Sequence, residues 1–467
     1  MKTDNKLKIL LRLAAPIVLA QLFQIAYQFI DAFWLGRLGE GAIAAVAMSL
    51  PIIFFVTSLG IGLAVAGSAL TAQYFGAKND KLLSHAAGQT ILMIVVVSLI
   101  LGLIGNFSAH ALLKLLGTDQ HIISDASSYL RIAFLSMVFN FSFFIFQAIM
   151  RSIGRPKIPV YIILSTVALN FFLDPVLMFG WRFIPTLGVS GVALATLITQ
   201  SLAAMIGFYL LFGGKYGIKL HYYNLKPDFK FIKRAFLLGL PSSIEQSARS
   251  LSLSITTALI AVYGTLAVAA YGVGTNIFHL MLMLAFGLNG ATAALVGQSL
   301  GANKTKEARQ FAWLSLKTTI VAFAALGLLV FLFAPSLIAF FIPQDQAVIN
   351  EGARYLRFIA PSFLFIGLQI SIAGTLQAAG NTKTPMFLTI LSQWLLQLPL
   401  IYLLPKLFGL ELDGIWLAFP ITSFIAAILY FYFFINRGWE HKKLLSEEEQ
   451  LQEKIHDEAE IETAVPL

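Results

Sequence analysis

The chain has 467 residues, is 58% hydrophobic and only 12% charged, carries a formal net charge of +9 and contains no cysteine. A soluble chain carries about 25% charged residues, so this composition, with a mean hydropathy of +0.81, excludes a soluble enzyme and predicts a protein that crosses the membrane many times. The missing cysteines exclude a disulfide framework, a thiolate zinc site and a thiol redox motif. The excess of basic residues lies in short loops between apolar spans, which is the pattern of membrane topology and not of a nucleic-acid groove.

In chain order the sequence predicts twelve apolar spans, at 13–37, 43–73, 83–107, 126–153, 159–179 and 187–212, then 236–262, 268–298, 311–341, 358–379, 386–407 and 415–436. Residues 1–12 form a short basic leader without a cleavage site and read as a cytoplasmic end. The expected division is an N-lobe at 1–212, a cytoplasmic linker at 213–234, a C-lobe at 235–436 and a charged cytoplasmic tail at 437–467. With the N-terminus inside, the inner loops carry Lys78, Lys81, Arg151, Arg155, Lys157, the linker lysines with Arg234, and Lys304, Lys306, Arg309 and Lys383. The outer side holds only Arg37, Lys114, Arg131, Arg182, Arg354, Arg357 and Lys406. That bias predicts a multi-pass protein of the inner or plasma membrane with both termini in the cytoplasm.

The two halves repeat. An offset of 225 places Pro16 on Pro241, Gln21 on Gln246, Gly39 on Gly264, Gly62 on Gly287, Gln73 on Gln298 and Gly76-Ala77 on Gly301-Ala302. An offset of 226 then pairs Tyr129-Leu130-Arg131 with Tyr355-Leu356-Arg357, and Gly154, Lys157 and Pro159 with Gly380, Lys383 and Pro385. Six spans per half is an even number, so both halves enter the membrane the same way round, as a parallel repeat with a cavity expected between them. The fold class is therefore an all-α polytopic membrane protein of two six-helix lobes.

Polar residues inside the spans are the candidates for function. In span one, Gln21, Gln24, Gln28 and Asp31 are spaced three, four and three residues apart and share a helix face. A carboxylate in hydrocarbon costs about 2.5–3.5 kcal/mol, so Asp31 turns toward protein or a wet cavity, as a capped buried acid or as a working group. At about 1.5 Å per residue, Asp31 lies about 27 Å along span one and Asp174 about 22 Å along span five, at similar heights. Asn170 shares a face with Asp174, and Pro175 predicts unwound backbone beside it. Asn140 and Gln147 of span four and Thr196 and Thr199 of span six complete an expected ring of oxygen ligands for a cation or proton, although helix–helix hydrogen bonding would serve the span-four and span-six residues equally.

The second half departs from the first. Thr256 takes the place of Asp31, and Glu245, about 15 Å into span seven, lies near the midplane. Arg249 is one turn from Glu245 in the favourable acid-then-base order, either as a self-neutralised pair or as a substrate group. His279 adds a histidine to span eight. No metal motif and no phosphate loop with lysine is present, so no cofactor is expected and the energy would come from an ion gradient.

Six segments carry a family resemblance: QFIDAFWLGRLG at 28–39, AQYFGAKN at 72–79, RSIGRPKIP at 151–159, NFFLDP at 170–175, GQSLGANK at 297–304 and QAAGNTKTP at 377–385. Six in this order at these spans resemble the multidrug and toxic compound extrusion (MATE) family over all twelve spans, nearest the DNA-damage-inducible protein F-like group. The resemblance implies two six-helix lobes in a V and export of cationic or amphipathic compounds in exchange for H⁺ or Na⁺, with the bilayer as the other partner, no enzymatic activity and a monomer. It matches the family's acids of spans one and five to Asp31 and Asp174, with Asn170 beside the latter, and its span-seven glutamate to Glu245. Gln28, Gln246, Arg249 and His279 are the further candidates for contact with substrate. The family's acid of span ten has no counterpart here, because 358–379 holds Gln369 and Gln377 but no carboxylate. The alternative is a flippase for lipids or lipid-linked oligosaccharides, which calls for a strongly basic cavity.

Overall fold

The computed structural model describes residues 3–436, 438–440 and 444; the acidic part of the expected tail lies outside the described residues. The N-lobe consists of α1 (Thr3–Leu38), α2 (Glu40–Gly76), α3 (Asp80–Leu115), α4 (Ile123–Ser152), α5 (Lys157–Phe179) and α6 (Val189–Gly213). The C-lobe repeats it with α7 (Phe229–Ala261), α8 (Thr265–Gly301), α9 (Thr305–Phe341), α10 (Gln346–Ala378), α11 (Lys383–Phe408) and α12 (Glu411–Ile435). Eleven of these are long and apolar enough to cross a membrane. The exception is α7, whose serines, Glu245 and Arg249 dilute its apolar face.

Turns recur where the repeat places glycine. Gly39 and Gly264, at φ +114° and +97°, join the first two helices of each lobe, and Gly154 and Gly380, at φ +76° and +78°, follow α4 and α10. A side chain at such angles is strained, so each pair marks one turn used twice. Pro175 does not unwind α5 as its sequence predicts: the helix continues to Phe179. The lost N–H leaves one carbonyl in the preceding turn without its helical partner, which a long buried helix absorbs without breaking. In α11 the turns at Leu391–Gln397, just before Pro399, are π-helical.

The linker is shorter and more ordered than its polarity suggests. α7 begins at Phe229, and a 3₁₀ turn at Tyr222–Leu225 docks on α3. Gln89 of α3 donates to the carbonyls of Asn224 and Lys226, both at 2.7 Å, and accepts from the N–H of Asp228 at 2.9 Å. Asp228 caps α7 by accepting the N–H of Phe231 at 3.0 Å and lies 3.3 Å from His85.

The lobes meet along α2–α7 and α8–α1, two contacts related by the repeat. A Cβ on Gly62 would lie 2.1 Å from the backbone nitrogen of Ser243, and one on Gly287 2.3 Å from Val18, the residue equivalent to Ser243. Ser243 donates to the carbonyl of Leu59 at 2.8 Å, and Ser58 bonds Ser247 at 2.8 Å. One turn further out the helices part, leaving Phe54 and Leu251 exposed. At the other end α2 and α8 cross backbone to backbone: a Cβ on Gly76 would lie 2.0 Å from the carbonyl oxygen of Gln298, and one on Gly301 1.9 Å from that of Gln73. The same two glutamines reach across. Gln73 donates to Ala378 at 2.9 Å, and Gln298 to the equivalent residue of the other lobe, Ser152, at 2.6 Å. The cleft between the lobes is thus closed at the end of α2 and α8 and open toward Gly39 and Gly264.

Helix α1 belongs to both lobes. Leu10, Ala14 and Ile17 are buried in a core built otherwise from α8, α9, α10 and the last helices of the chain, and Lys6 bonds Gln310. Its second half lies against α5 and α6.

Two predictions follow from this packing. Ala in place of helical Gly ordinarily stabilises by about 1 kcal/mol, yet Gly76→Ala and Gly301→Ala are each expected to destabilise by about 1–3 kcal/mol through overpacking, read as a lowered melting temperature in detergent. The N–H of Phe231, aided by His85, holds the Asp228 carboxyl below its ordinary range. Its stabilisation is therefore full above about pH 4 and lost as pH falls further. Asp228→Ala should melt lower than wild type at pH 7, with the gap closing in acid.

Candidate functional site

Two polar clusters and one cavity stand out, and their differences follow from how each balances its charge. The first cluster lies inside the N-lobe. Tyr27, Asp31 and Trp34 share a face of α1, and Asn170 and Asp174 share a face of α5. Asn170 and Asp174 are wholly buried, and the Asn170 amide donates to Asp174 Oδ1 at 3.1 Å. The carboxyl of Asp31 lies beside Asp174 and Asn170, and two neighbouring carboxyl groups resist carrying two charges at once. Asp31 Oδ1, Asn170 Oδ1 and Asp174 Oδ2 are buried without a hydrogen-bond partner among the described residues. Such a set of orphaned oxygens is chemically suited to a proton or a small hard cation.

Around the acids, Tyr27 bonds Thr199 Oγ1 at 2.7 Å. Thr199 is turned back toward the carbonyls of Ala195 and Thr196, at 2.9 and 3.0 Å. With the threonine proton used there, the tyrosine is the donor. Thr196 is within reach of the same hydroxyl. The expected ring of ligands is thus only partly assembled. Thr196 and Thr199 serve Tyr27, Asn140 has a buried amide oxygen with no partner and no bond to either aspartate, and Gln147 lies elsewhere. Span four leans toward the cleft and away from the acids. Tyr27 and Trp34 were not singled out in the sequence, although both fall one turn from Asp31.

The second cluster is in the C-lobe. Arg249 Nη2 donates to Glu245 Oε1 at 3.2 Å and to Thr389 Oγ1 at 3.1 Å. Gln377 donates to Glu245 Oε2 at 3.2 Å, and Thr389 to Oε1 at 3.4 Å. Tyr430 closes the network between Thr389, at 3.3 Å, and the carbonyl of Pro385, at 3.2 Å. Both carboxylate oxygens of Glu245 are engaged and its charge is balanced, which is the geometry of a self-neutralised pair. Thr256, at the position equivalent to Asp31, is buried and has no acidic neighbour in this network. Gln28 and His279 are exposed and Gln246 is half-buried; none makes a side-chain hydrogen bond with a described residue.

The cavity, of about 200 Å³, lies at the closed base of the cleft. Gln21 and Gln24 of α1, Ser68 of α2, Gln147 and Arg151 of α4, Asn289 of α8 and Gln377 of α10 supply its polar lining. The sequence counts Arg151 among the inner-loop charges; the structure corrects this, because Arg151 sits in the last turn of α4 and faces the cleft. Its position four residues after Gln147 puts both on one helix face, a signal present in the sequence.

This fold of two six-helix lobes joined at the base of a cleft, with polar groups inside the spans, is that of a membrane transporter. The family profile named MatE matches residues 16–176 and 241–403, one stretch in each lobe, and the chain belongs to that family. Among its relatives, the probable multidrug resistance protein YoeA of Bacillus subtilis is 28% identical, over 92% of this chain and 93% of its own. The probable multidrug resistance protein NorM of Thermotoga maritima is 27% identical, over 94% and 95%. The crystal structure of MATE in complex with MaL6 superimposes with a TM-score of 0.86 at 21% identity, over 92% of this chain and 96% of that one; at that identity it shows the shared fold.

Breaking the C-lobe pair tests whether it is balanced internally. Glu245→Leu strands Arg249 and should cost about 1–3 kcal/mol. The double variant Glu245→Leu/Arg249→Leu should recover most of that loss, as measured by thermal melts. A double variant as unstable as the sum of the singles would contradict the pairing.

Proposed function

We propose that the protein is a secondary active exporter of cationic or amphipathic organic compounds, working by antiport with H⁺ or Na⁺ and by alternating access between its lobes. The observation that carries this reading is the placement of Asp31. It meets Asp174 inside the N-lobe, while the first half of the same helix is built into the C-lobe core. An ion taken up at Asp31 and Asp174 therefore acts on a helix that both lobes hold. The printed names of relatives, including the multidrug export protein MepA of Staphylococcus saprophyticus at 26% identity, support the same class of cargo.

The steps follow from the charge balance. With the cleft open, the two acids and Asn170 take a proton or cation. Neutral acid tolerates apolar packing far better than its anion, so α1 repacks against α5 and α6 and the cleft loses affinity for its cargo. Release outward, return to the inward state and loss of the ion to the cytoplasm complete the cycle. Coupling requires that ion and cargo prefer different states, since equal affinity shifts nothing. The charge bias of the loops supports a closed base on the cytoplasmic side, with both termini inside and the chain in the inner or plasma membrane. No cofactor takes part. The flippase alternative calls for several cations in the cavity, whereas one arginine lines it.

The test is dye efflux from proteoliposomes under a pH gradient alone and a Na⁺ gradient alone. One gradient should drive wild-type efflux, and Asp31→Asn should lose it while still binding dye. Efflux by Asp31→Asn at the wild-type rate would sink the assignment of Asp31, and no efflux under either gradient would sink antiport.

A further inference from the structure

The repeat lets each residue of the cavity be compared with its counterpart in the other lobe, and the comparison exposes an imbalance. At an offset of 226, Arg151 corresponds to Gln377, and both line the cavity. At an offset of 225, Ala20 corresponds to Glu245 and Gln24 to Arg249. In the C-lobe, Gln377 donates to Glu245, whose charge Arg249 balances. In the N-lobe, the cation is on α4, and the place of the acid is held by a buried alanine. Arg151 accordingly has no hydrogen bond or ion pair with any described residue.

Its neighbour on α4 is in the same condition. Gln147 is 5% exposed, lines the cavity and has its amide nitrogen buried without a partner. A buried donor without an acceptor costs about 1–3 kcal/mol, and the half-buried Arg151 beside it presents its charge to the cavity. The two donors are one helical turn apart, and the guanidinium is a planar fork matched to a pair of carboxylate oxygens. No carboxylate lines the cavity. At about 200 Å³ it is smaller than the roughly 300–1,000 Å³ of a complete small-molecule site, so it fits one end of a compound lying in the cleft.

We propose that the base of the cleft is a subsite for an organic carboxylate, held by Arg151 and the amide of Gln147. The proposal rests on the reading of the cleft as the cargo site and deepens it. The incoming carboxylate supplies the partner that Glu245 provides in the C-lobe and that Ala20 cannot.

The experiment is binding, by fluorescence anisotropy to purified protein in detergent with no gradient, of a rhodamine free acid and of its methyl ester. The wild type should bind the acid roughly tenfold or more tightly than the ester, the difference that a charged hydrogen bond confers. Equal binding, or tighter binding of the ester, overturns the proposal without recourse to any variant. Arg151→Gln should remove the preference for the acid. Ala20→Glu, which keeps Arg151 but supplies it with an internal acid, should remove it as well, and its persistence in either folded variant also overturns the proposal. Because no transport is measured, loss of the acid preference is distinguishable from failure of antiport, which the proteoliposome assay reads separately.

Discussion

The approach of α2 and α8 at Gly76 and Gly301 is the constraint on which the molecule depends. Two helix backbones come so close there that no side chain fits between them, and the glutamines one turn earlier extend across to the last carbonyls of α4 and α10 in the opposite lobe. The contact is short-range, polar and symmetric. Beyond it α2–α7 and α8–α1 stay packed through Gly62 and Gly287 and the helices diverge only further out, which is why a cleft exists and why its base is lined by residues of both halves.

Against that symmetric frame the two lobes balance charge differently. The C-lobe encloses an acid with its own base and two further donors, so nothing from outside is required to make it stable in a bilayer. The N-lobe encloses two neighbouring acids whose oxygens, with that of Asn170, have no partner among the described residues, and no described acid lies on its cleft arginine. A duplicated scaffold thus holds a satisfied half beside an unsatisfied one. The energetic cost of the latter identifies where a mobile ion or a ligand gains most by binding.

Much of this architecture was legible in the sequence, because helices in a membrane leave a simple record. Span lengths follow from bilayer thickness, and the offsets that matched Gly76 to Gly301 and Gln73 to Gln298 picked out the residues that meet at the base. The similar depths of Asp31 and Asp174 came from helical rise alone, and the four-residue spacing of Glu245 and Arg249 anticipated their contact. What spacing does not carry is the neighbour across the gap between helices. Gln147 and Asn140 share a face, but only the lean of α4 decides that this face serves the cleft and not the acids. Arg151 reads as a loop charge because it lies at the inner end of the predicted span 126–153, and spacing alone does not say that this last turn faces the cleft. Pro175 reads as a break because the local preference is real, and tertiary packing overrides it.

The division of α1 between the lobes has a consequence for how the chain is made. The repeat suggests two units, each able to form as it leaves the ribosome, yet Leu10, Ala14 and Ile17 share a core with helices that begin only at Thr265 and beyond. Until those helices arrive, the first half of α1 has lipid and not protein on one side. Contacts of such sequence separation form late. The first helix to be synthesised is therefore among the last to finish packing, and the boundary between repeats is not a boundary between independently folding parts.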